Sequence, residues 1–250
     1  MRIQTRHLCV AAGVIVAAAC GTKEAAAPLT SDPAGRIRFV NVITDPTRVP
    51  VNAILEGVPF GVNLAYTAST PASLPAPSTA NYSAILAGTR TLVLKRTADT
   101  TVTVATFPLT IAANQDKTVY ATGGATVAAF ETVDDNAAAT STTAKLRIVN
   151  LSPTAGSVDV FVTAAGADLT TATPVASGLA YKAGSTYFTV APGTYVVRFV
   201  PAGTAAAARN GAVLITSAST AFAGGTGRTV VSADGPSGGG TLRAFVLTDQ

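Results

Sequence analysis

Along most of this chain, apolar and polar residues alternate one by one, and turn residues recur roughly every 8–12 positions. Arg36-Ile37-Arg38-Phe39-Val40-Asn41 sets the pattern. Side chains alternate across a strand with a period of two, so Ile37, Phe39 and Asn41 fall on one face and Arg38, Val40 and Val42 on the other. The same alternation predicts strands over 49–55, 82–86, 90–96, 102–111, 118–122 and 127–133, with a short, mixed segment over 58–64. Asp45-Pro46, Glu56-Gly57, Ala87-Gly88-Thr89 and Asn114-Gln115-Asp116 supply turns between them. Pro50 cannot donate to a ladder, so its strand is an edge or has Pro50 near its start. Pro71, Pro75 and Pro77, set among Ser, Thr and Ala, predict a partly polyproline-like loop over 66–81. Roughly seven short strands with evenly spaced turns form the signature of an antiparallel, immunoglobulin-like β-sandwich.

The pattern then repeats. Lys145-Leu146-Arg147-Ile148-Val149-Asn150 echoes the opening strand, and Val158-Asp159-Val160-Phe161-Val162 echoes Val51-Asn52-Ala53-Ile54-Leu55. Leu179-Ala180-Tyr181 answers Leu64-Ala65-Tyr66, Pro192-Gly193-Thr194-Tyr195 answers Ala87-Gly88-Thr89-Arg90, and Arg228-Thr229-Val230-Val231 answers Lys117-Thr118-Val119-Tyr120. Ala244-Phe245 answers Ala129-Phe130. The order is constant and the offsets drift only with loop length, which marks duplication of a domain-sized unit. The expected architecture is all-β: a first sandwich over 36–134, a linker over 135–143 and a second sandwich over 144–250. A chain of 250 residues accommodates two such domains.

The first 35 residues read differently. Arg2 and Arg6 precede an apolar run over 8–16, too short for a spanning helix of about 20 residues. Ala17-Ala18-Ala19 supplies small residues for a signal peptidase, and Cys20 follows. Residues 1–19 are expected to be an export signal. It resembles a lipoprotein signal, in which the cysteine is lipidated and anchors the chain to a membrane. Ala17 stands where such signals usually carry Leu, and the Ala-x-Ala also suits cleavage to a soluble secreted or periplasmic protein. Residues 20–35 lack apolar periodicity and read as a flexible tether. Gly21, rather than Asp, follows Cys20; by resemblance to the sorting rule of enteric bacteria this points to the outer membrane. Cys9 leaves with the leader, so the mature chain keeps Cys20 alone and can form no internal disulfide.

The echoes also carry a family resemblance. Val149-Asn150-Leu151-Ser152-Pro153, the Val158–Val162 strand and Ala191-Pro192-Gly193-Thr194-Tyr195-Val196-Val197-Arg198 resemble the bacterial domain-of-unknown-function family numbered 4397. Its members often show a Val-His-x-Ser-Pro turn, a Val-Asp-Val-Tyr strand and a Pro-Ala-Gly-Thr-Tyr hairpin. Both copies carry Asn, at 41 and 150, where many members have His. The first copy has Asn52 in place of Asp159 and lacks the Ser-Pro pair. The resemblance implies an extracytoplasmic β-sandwich module and implies no activity.

Composition narrows the chemistry. Of 17 Lys and Arg against 13 Asp and Glu, no basic cluster forms a phosphate-tracking stripe, which argues against nucleic acid as a partner. The single histidine, His7, lies in the leader. The mature chain therefore lacks the means for a Ser-His-Asp triad, a Cys-His pair or a His-based zinc site. No cofactor and no metal site are expected. Asp134, Asp135 and Asn136 are weighed as calcium ligands at the domain junction, against the plainer reading of a solvated acidic linker. Gly224-Gly225-Thr226-Gly227-Arg228-Thr229 only superficially resembles a phosphate loop and reads as a glycine-rich turn. Asn41 and Asn150, in phase with the core, are expected to pin the turn after their strand by bonding backbone groups. Tyr66 and Tyr181 follow equivalent Leu-Ala pairs; they read as core or rim packing, with a sugar-stacking platform as the alternative and only ligand-site candidates. Arg38 and Arg147 alternate with apolar neighbours and are read as marks of the fold. The expected function is a non-enzymatic cell-envelope lipoprotein, a structural or protein-interaction module. A surface module binding a glycan or small ligand is the alternative, and a hydrolase ranks below both.

Overall fold

The alternation produces strands almost everywhere in the computed structural model, which describes residues 32–71, 81–236 and 241–249. The expected export signal, Cys20, most of the expected tether and the centre of the Pro-rich loop lie outside the described residues. Described residues of the first half form β1 (Ala34–Ile43), β2 (Val51–Leu55), β3 (Val58–Leu64), β4 (Ser69–Thr70), β5 (Ser83–Leu86), β6 (Gly88–Arg96), β7 (Asp99–Ile111), β8 (Asp116–Gly123) and β9 (Ala128–Asp134). One sheet runs β4-β1-β8-β9, with β5 also paired to β1; the other runs β3-β2-β6-β7. Neighbours are antiparallel except β1 and β8, which run parallel from Arg36↔Asp116 to Ile43↔Gly123.

One local expectation is resolved and another changes. β2 is central, so Pro50 takes the second option, immediately before the strand, where it needs no ladder hydrogen bond. Ala87-Gly88-Thr89 is a corner rather than a hairpin: β5 pairs with β1 while β6 pairs with β2 and β7, so the chain changes sheets there. Gly88 takes φ 125°, a conformation open to glycine and strained for other residues.

The second half comprises β10 (Ala144–Leu151), β11 (Val158–Thr163), β12 (Ala176–Leu179), β13 (Ala183–Gly184), β14 (Phe188–Val190), β15 (Gly193–Pro201), β16 (Ile215–Thr216), β17 (Thr220–Phe222), β18 (Gly227–Asp234) and β19 (Leu242–Thr248). Its sheets run β13-β10-β18-β19, with β14 on β10, and β12-β11-β15-β16, with β17 on β15. The parallel pair recurs between β10 and β18. Strand for strand, the order is that of the first half. The difference lies in cover: a 3-10 segment, Ala206–Ala212, and the loop before β12 lie over the outer face of β11 and β15.

The layers follow from which faces are apolar. Ile37, Phe39 and Val119 meet Ala53, Leu92 and Leu109 inside the first sandwich. Leu146, Ile148 and Val230 meet Val160, Val197 and Phe199 inside the second. A third core lies between the halves: Val40, Val42 and Tyr120 pack against Val149, Leu151, Val231 and Leu247. The sheet of β1 and the sheet of β10 therefore bury both faces, and the described residues from Asp32 onward form one compact unit. That explains the sequence of β1, whose last seven residues are all buried: a strand covered on both sides runs apolar with little alternation.

Candidate functional site

The face of β1 opposite the sandwich core carries Arg38 in phase with Val40 and Val42. It opens onto the third core, not onto water. Arg38 is 1% exposed, and its counterpart Arg147 on β10 is 3% exposed. A buried guanidinium must find partners, and each arginine finds them in the opposite half. Arg38 donates to Asp249 Oδ1 at 2.8 Å and to the Thr248 carbonyl at 2.7 Å. Arg147 pairs with Asp134 Oδ1 at 2.6 Å and donates to the Val133 carbonyl at 3.0 Å. The shells match further. Thr118 on β8 accepts from Arg38 Nε at 3.0 Å and donates to Asp134. Thr229 on β18 accepts from Arg147 Nε at 3.2 Å and donates to Asp249 Oδ2 at 2.7 Å. The Tyr82 hydroxyl reaches Asp134 at 2.9 Å, and that of Tyr187 reaches Asp249 at 3.1 Å. Each arginine also lies 4.7 Å from the ring centre of the tyrosine of its own half, a cation–π placement.

Register confirms that these are equivalent positions. Arg38 pairs with Thr118 and Arg147 with Thr229 across the parallel ladders. Ile37 faces Ser83 and Leu146 faces Phe188, which puts Tyr82 and Tyr187 at matching positions. The arrangement is that of an isologous dimer interface, in which residue i meets j and j meets i, built within one chain. Burial alone would disfavour the two cations, but the surrounding Tyr and Asp groups outweigh it and raise both arginine pKa values. Burial likewise raises the pKa of Tyr82, Tyr187 and Tyr120, the last to about 12. Tyr120 is fully buried in the seam and its hydroxyl has no hydrogen-bond partner. β18 places Val231 at the matching position, so the two-fold relation is broken there.

Against the expectations, this cluster is the main correction. Arg38 and Arg147 do gather, with carboxylates rather than with each other. Asp134 is not part of a solvated acidic linker: it ends β9 and is 5% exposed. Asp135 pairs with Lys145 at 2.9 Å, and Asn136 donates to Asp116 at 2.6 Å. Among the described residues no group of three or more His, Cys, Asp or Glu side chains is disposed to hold a metal ion. Asp249 and Tyr82 carried no sequence signal of their own. Their register positions opposite Asp134 and Tyr187 could have been found by extending the repeat to those residues.

Other expected residues fall as follows. Asn41 and Asn150 are fully buried. Asn41 donates to the carbonyls of Leu64 and Ala65 at 2.9 and 3.2 Å and accepts from Ile43 N at 3.1 Å. Asn150 donates to Gly156 and Leu179 at 2.8 and 2.9 Å and accepts from Ser152 N at 3.1 Å. Asn150 thus fixes the turn after its own strand, as expected, whereas Asn41 bonds within β1 and to the end of β3 and not to the turn over 44–50; each amide ties its strand to the opposite sheet. Asn52 and Asp159 repeat one another in the same way: they accept from Asn63 N and Gly178 N, both at 2.8 Å. Tyr66 lies at the seam, its hydroxyl donating to the Asp234 carbonyl and Arg243 standing 5.6 Å from its ring. Tyr181 is half-buried with the Lys182 ammonium 5.5 Å from its ring. The two tyrosines therefore sit in different surroundings. Gly224-Gly225 touches the connection between the halves: Gly225 N donates to Thr140 and Thr143 at 2.9 Å. A Cβ at Gly224 would collide with the Ser141 carbonyl, while Gly225 takes φ 80°, so close backbone approach at the first and turn geometry at the second set those glycines.

Fold and seam define an all-β sandwich protein with a buried cluster of Arg38, Arg147, Asp134 and Asp249 between its two halves. Residues 35–161 match the family described as Domain of unknown function (DUF4397), and the chain belongs to that family. The match covers β1 to β10, with the connection between the halves, and most of β11. No curated protein matches the chain. Among solved structures, it is similar to a leucine-rich repeat protein from Bacteroides thetaiotaomicron VPI-5482, with 13% identity over 85% of this chain and a TM-score of 0.20. The chain spans 27% of that protein's length, and a likeness of this size carries no argument about fold or function.

Proposed function

We propose that this chain is a non-enzymatic cell-envelope lipoprotein, two tandem copies of the family's module joined into one rigid body that serves as a structural or protein-interaction element. The observation that carries the reading is the seam. The cluster of Arg38, Arg147, Asp134 and Asp249 is buried and mutually paired, which suits a role in holding the halves together. The repeat of Arg38, Thr118, Asp134 and Tyr82 as Arg147, Thr229, Asp249 and Tyr187 supports two copies. The envelope assignment rests on the leader: Arg2 and Arg6, the apolar run and the small residues before Cys20. A lipid on Cys20 would hold the chain at a membrane through the tether.

Labelled palmitate fed to expressing cells should enter the wild type and not Cys20→Ser; equal labelling of both removes the anchor from the proposal. Turnover of ester, glycosidic or peptide substrates by purified protein, lost on Asp134→Asn, would replace the structural role by a hydrolase. Glycan binding abolished by Tyr181→Ala would replace it by a ligand-binding role.

A further inference from the structure

The two halves treat one equivalent surface in opposite ways. In the second half the outer face of β11 and β15 carries Phe161 and Val200, both fully buried. Leu169, Ala172, Ala212 and Val213 cover them, and Arg209 lies 5.1 Å from the Phe161 ring. In the first half, register puts Ile54 where Phe161 stands and Val93 where Arg198 stands. Direct turns replace both covering segments there, and Ile54 and Val93 belong to none of the apolar cores among the described residues. Pro59 lies opposite Ile54, Thr106 lies opposite Val93, and Val62 on β3 is 58% exposed on the same face. The result is an apolar and threonine-lined sheet face with charge only at its ends. Glu56 sits in the turn at one end and Lys95 at the other, opposite Asn52. Four residues of strand separate those ends, about 13 Å at the usual rise.

We infer that the outer face of the β3-β2-β6-β7 sheet is a docking surface for a second copy of this chain. The charge pattern selects that occupant. A two-fold axis lying in the interface and perpendicular to the strands sets Glu56 of each copy against Lys95 of the other, with the Ile54 and Val93 centres superposed. Sheet-on-sheet contact of this kind is how the chain already joins its own halves across Val40, Val149 and Val231. Exposed apolar patches rimmed by charge are characteristic of association sites. The covered face of the second half cannot pair in this way, which limits the assembly to a closed dimer. The inference is independent of where the protein resides and of any lipid on Cys20.

The test is sedimentation velocity on the full chain in mild detergent, across a concentration series reaching tens of micromolar. The wild type should dimerise. Val62→Lys, at an exposed position that leaves the cores intact, should weaken dimerisation at least tenfold. Lys95→Glu should weaken it as well, and Lys95→Glu combined with Glu56→Lys should restore it. A monomeric wild type overturns the inference. So does a dimer indifferent to Val62→Lys, or one in which the double reversal fails to rescue, since either places the contact elsewhere. Circular dichroism of each variant separates loss of association from loss of fold.

Discussion

Asp249→Ala tests the seam at its most exposed assumption, that the swapped ion pairs hold the halves together. The aspartate is 3% exposed and accepts from Arg38 at 2.8 Å, Thr229 at 2.7 Å and Tyr187 at 3.1 Å. Its removal strands the Arg38 charge in the interior. Breaking a buried pair from one side destabilises by about 3–5 kcal/mol, because the remaining charge loses its compensation. Arg38 keeps Thr118, the Thr248 carbonyl and Asp134 at 3.9 Å, which favours the lower end, about 3 kcal/mol. With a urea m-value of roughly 2–3 kcal/mol/M, the midpoint should fall by about 1 M or more. The companion variant is Arg38→Leu with Asp249→Leu. Replacing both charges by apolar groups removes the desolvation penalty along with the attraction, so it should recover most of the loss. Urea unfolding followed by circular dichroism reads both. A loss below about 1 kcal/mol for the single variant, the range of an exposed pair, would refute the claim that this contact is sealed from water. A double variant as unstable as the single would refute the claim that a stranded charge is the cause.

Three further outcomes are expected. Tyr120→Phe should leave stability unchanged or raise it by about 1 kcal/mol, since it deletes a buried hydroxyl without a partner; a clear drop in thermal midpoint would show that the hydroxyl is satisfied. Asn150→Ala should cost about 2–4 kcal/mol, because it frees the Leu179 and Gly156 carbonyls and Ser152 N together; loss no larger than at an exposed asparagine, read by urea unfolding, would count against the turn-pinning role. Alkaline pH should destabilise the fold: an unfolded tyrosine ionises near pH 10, whereas Tyr120 and Tyr66 in the native state are pushed up to about 12 by burial. Between those values the folded state binds more protons, so stability falls as pH rises, by about 1 kcal/mol per pH unit for Tyr120; a flat urea midpoint from pH 9 to about 11 would contradict it.

How far the sequence revealed the fold depended on the range of the interaction that set each feature. The strand alternation of Ile37, Phe39 and Asn41 is local, and it correctly gave strand type and inner face; the turn-pinning role expected of both asparagines holds for Asn150, while Asn41 bonds within its strand and across to the end of β3. The echo of Leu64-Ala65-Tyr66 in Leu179-Ala180-Tyr181 gave equivalent positions but not equivalent surroundings, because Tyr66 meets Asp234 and Arg243 from the other half. Sheet membership at Gly88 was not legible: a glycine turn looks the same whether the chain reverses beside itself or crosses to the opposite sheet. Arg38 was the largest miss. An arginine between Ile37 and Phe39 reads as a solvent-facing position when one buried face is assumed. What buries it is a second sheet more than a hundred residues along the chain. The one local hint was that Val40 and Val42 share its face, which is unusually apolar for a face in water.

The seam also sets an order on how the molecule comes together. Arg38 lies in the first described strand and its carboxylate partner lies 211 positions away, so the contact closes a very long loop. Contacts of such sequence separation form late, since the intervening chain must be ordered before they stabilise anything. As the chain emerges from the ribosome, the first half can assemble its inner core from Ile37 to Ala121 on its own. The Arg38 shell remains open until β19 and Asp249 follow. The pairing across the two halves thus acts as a completion check: only a chain synthesised through β19 and Asp249 can close the face of β1 that carries Arg38.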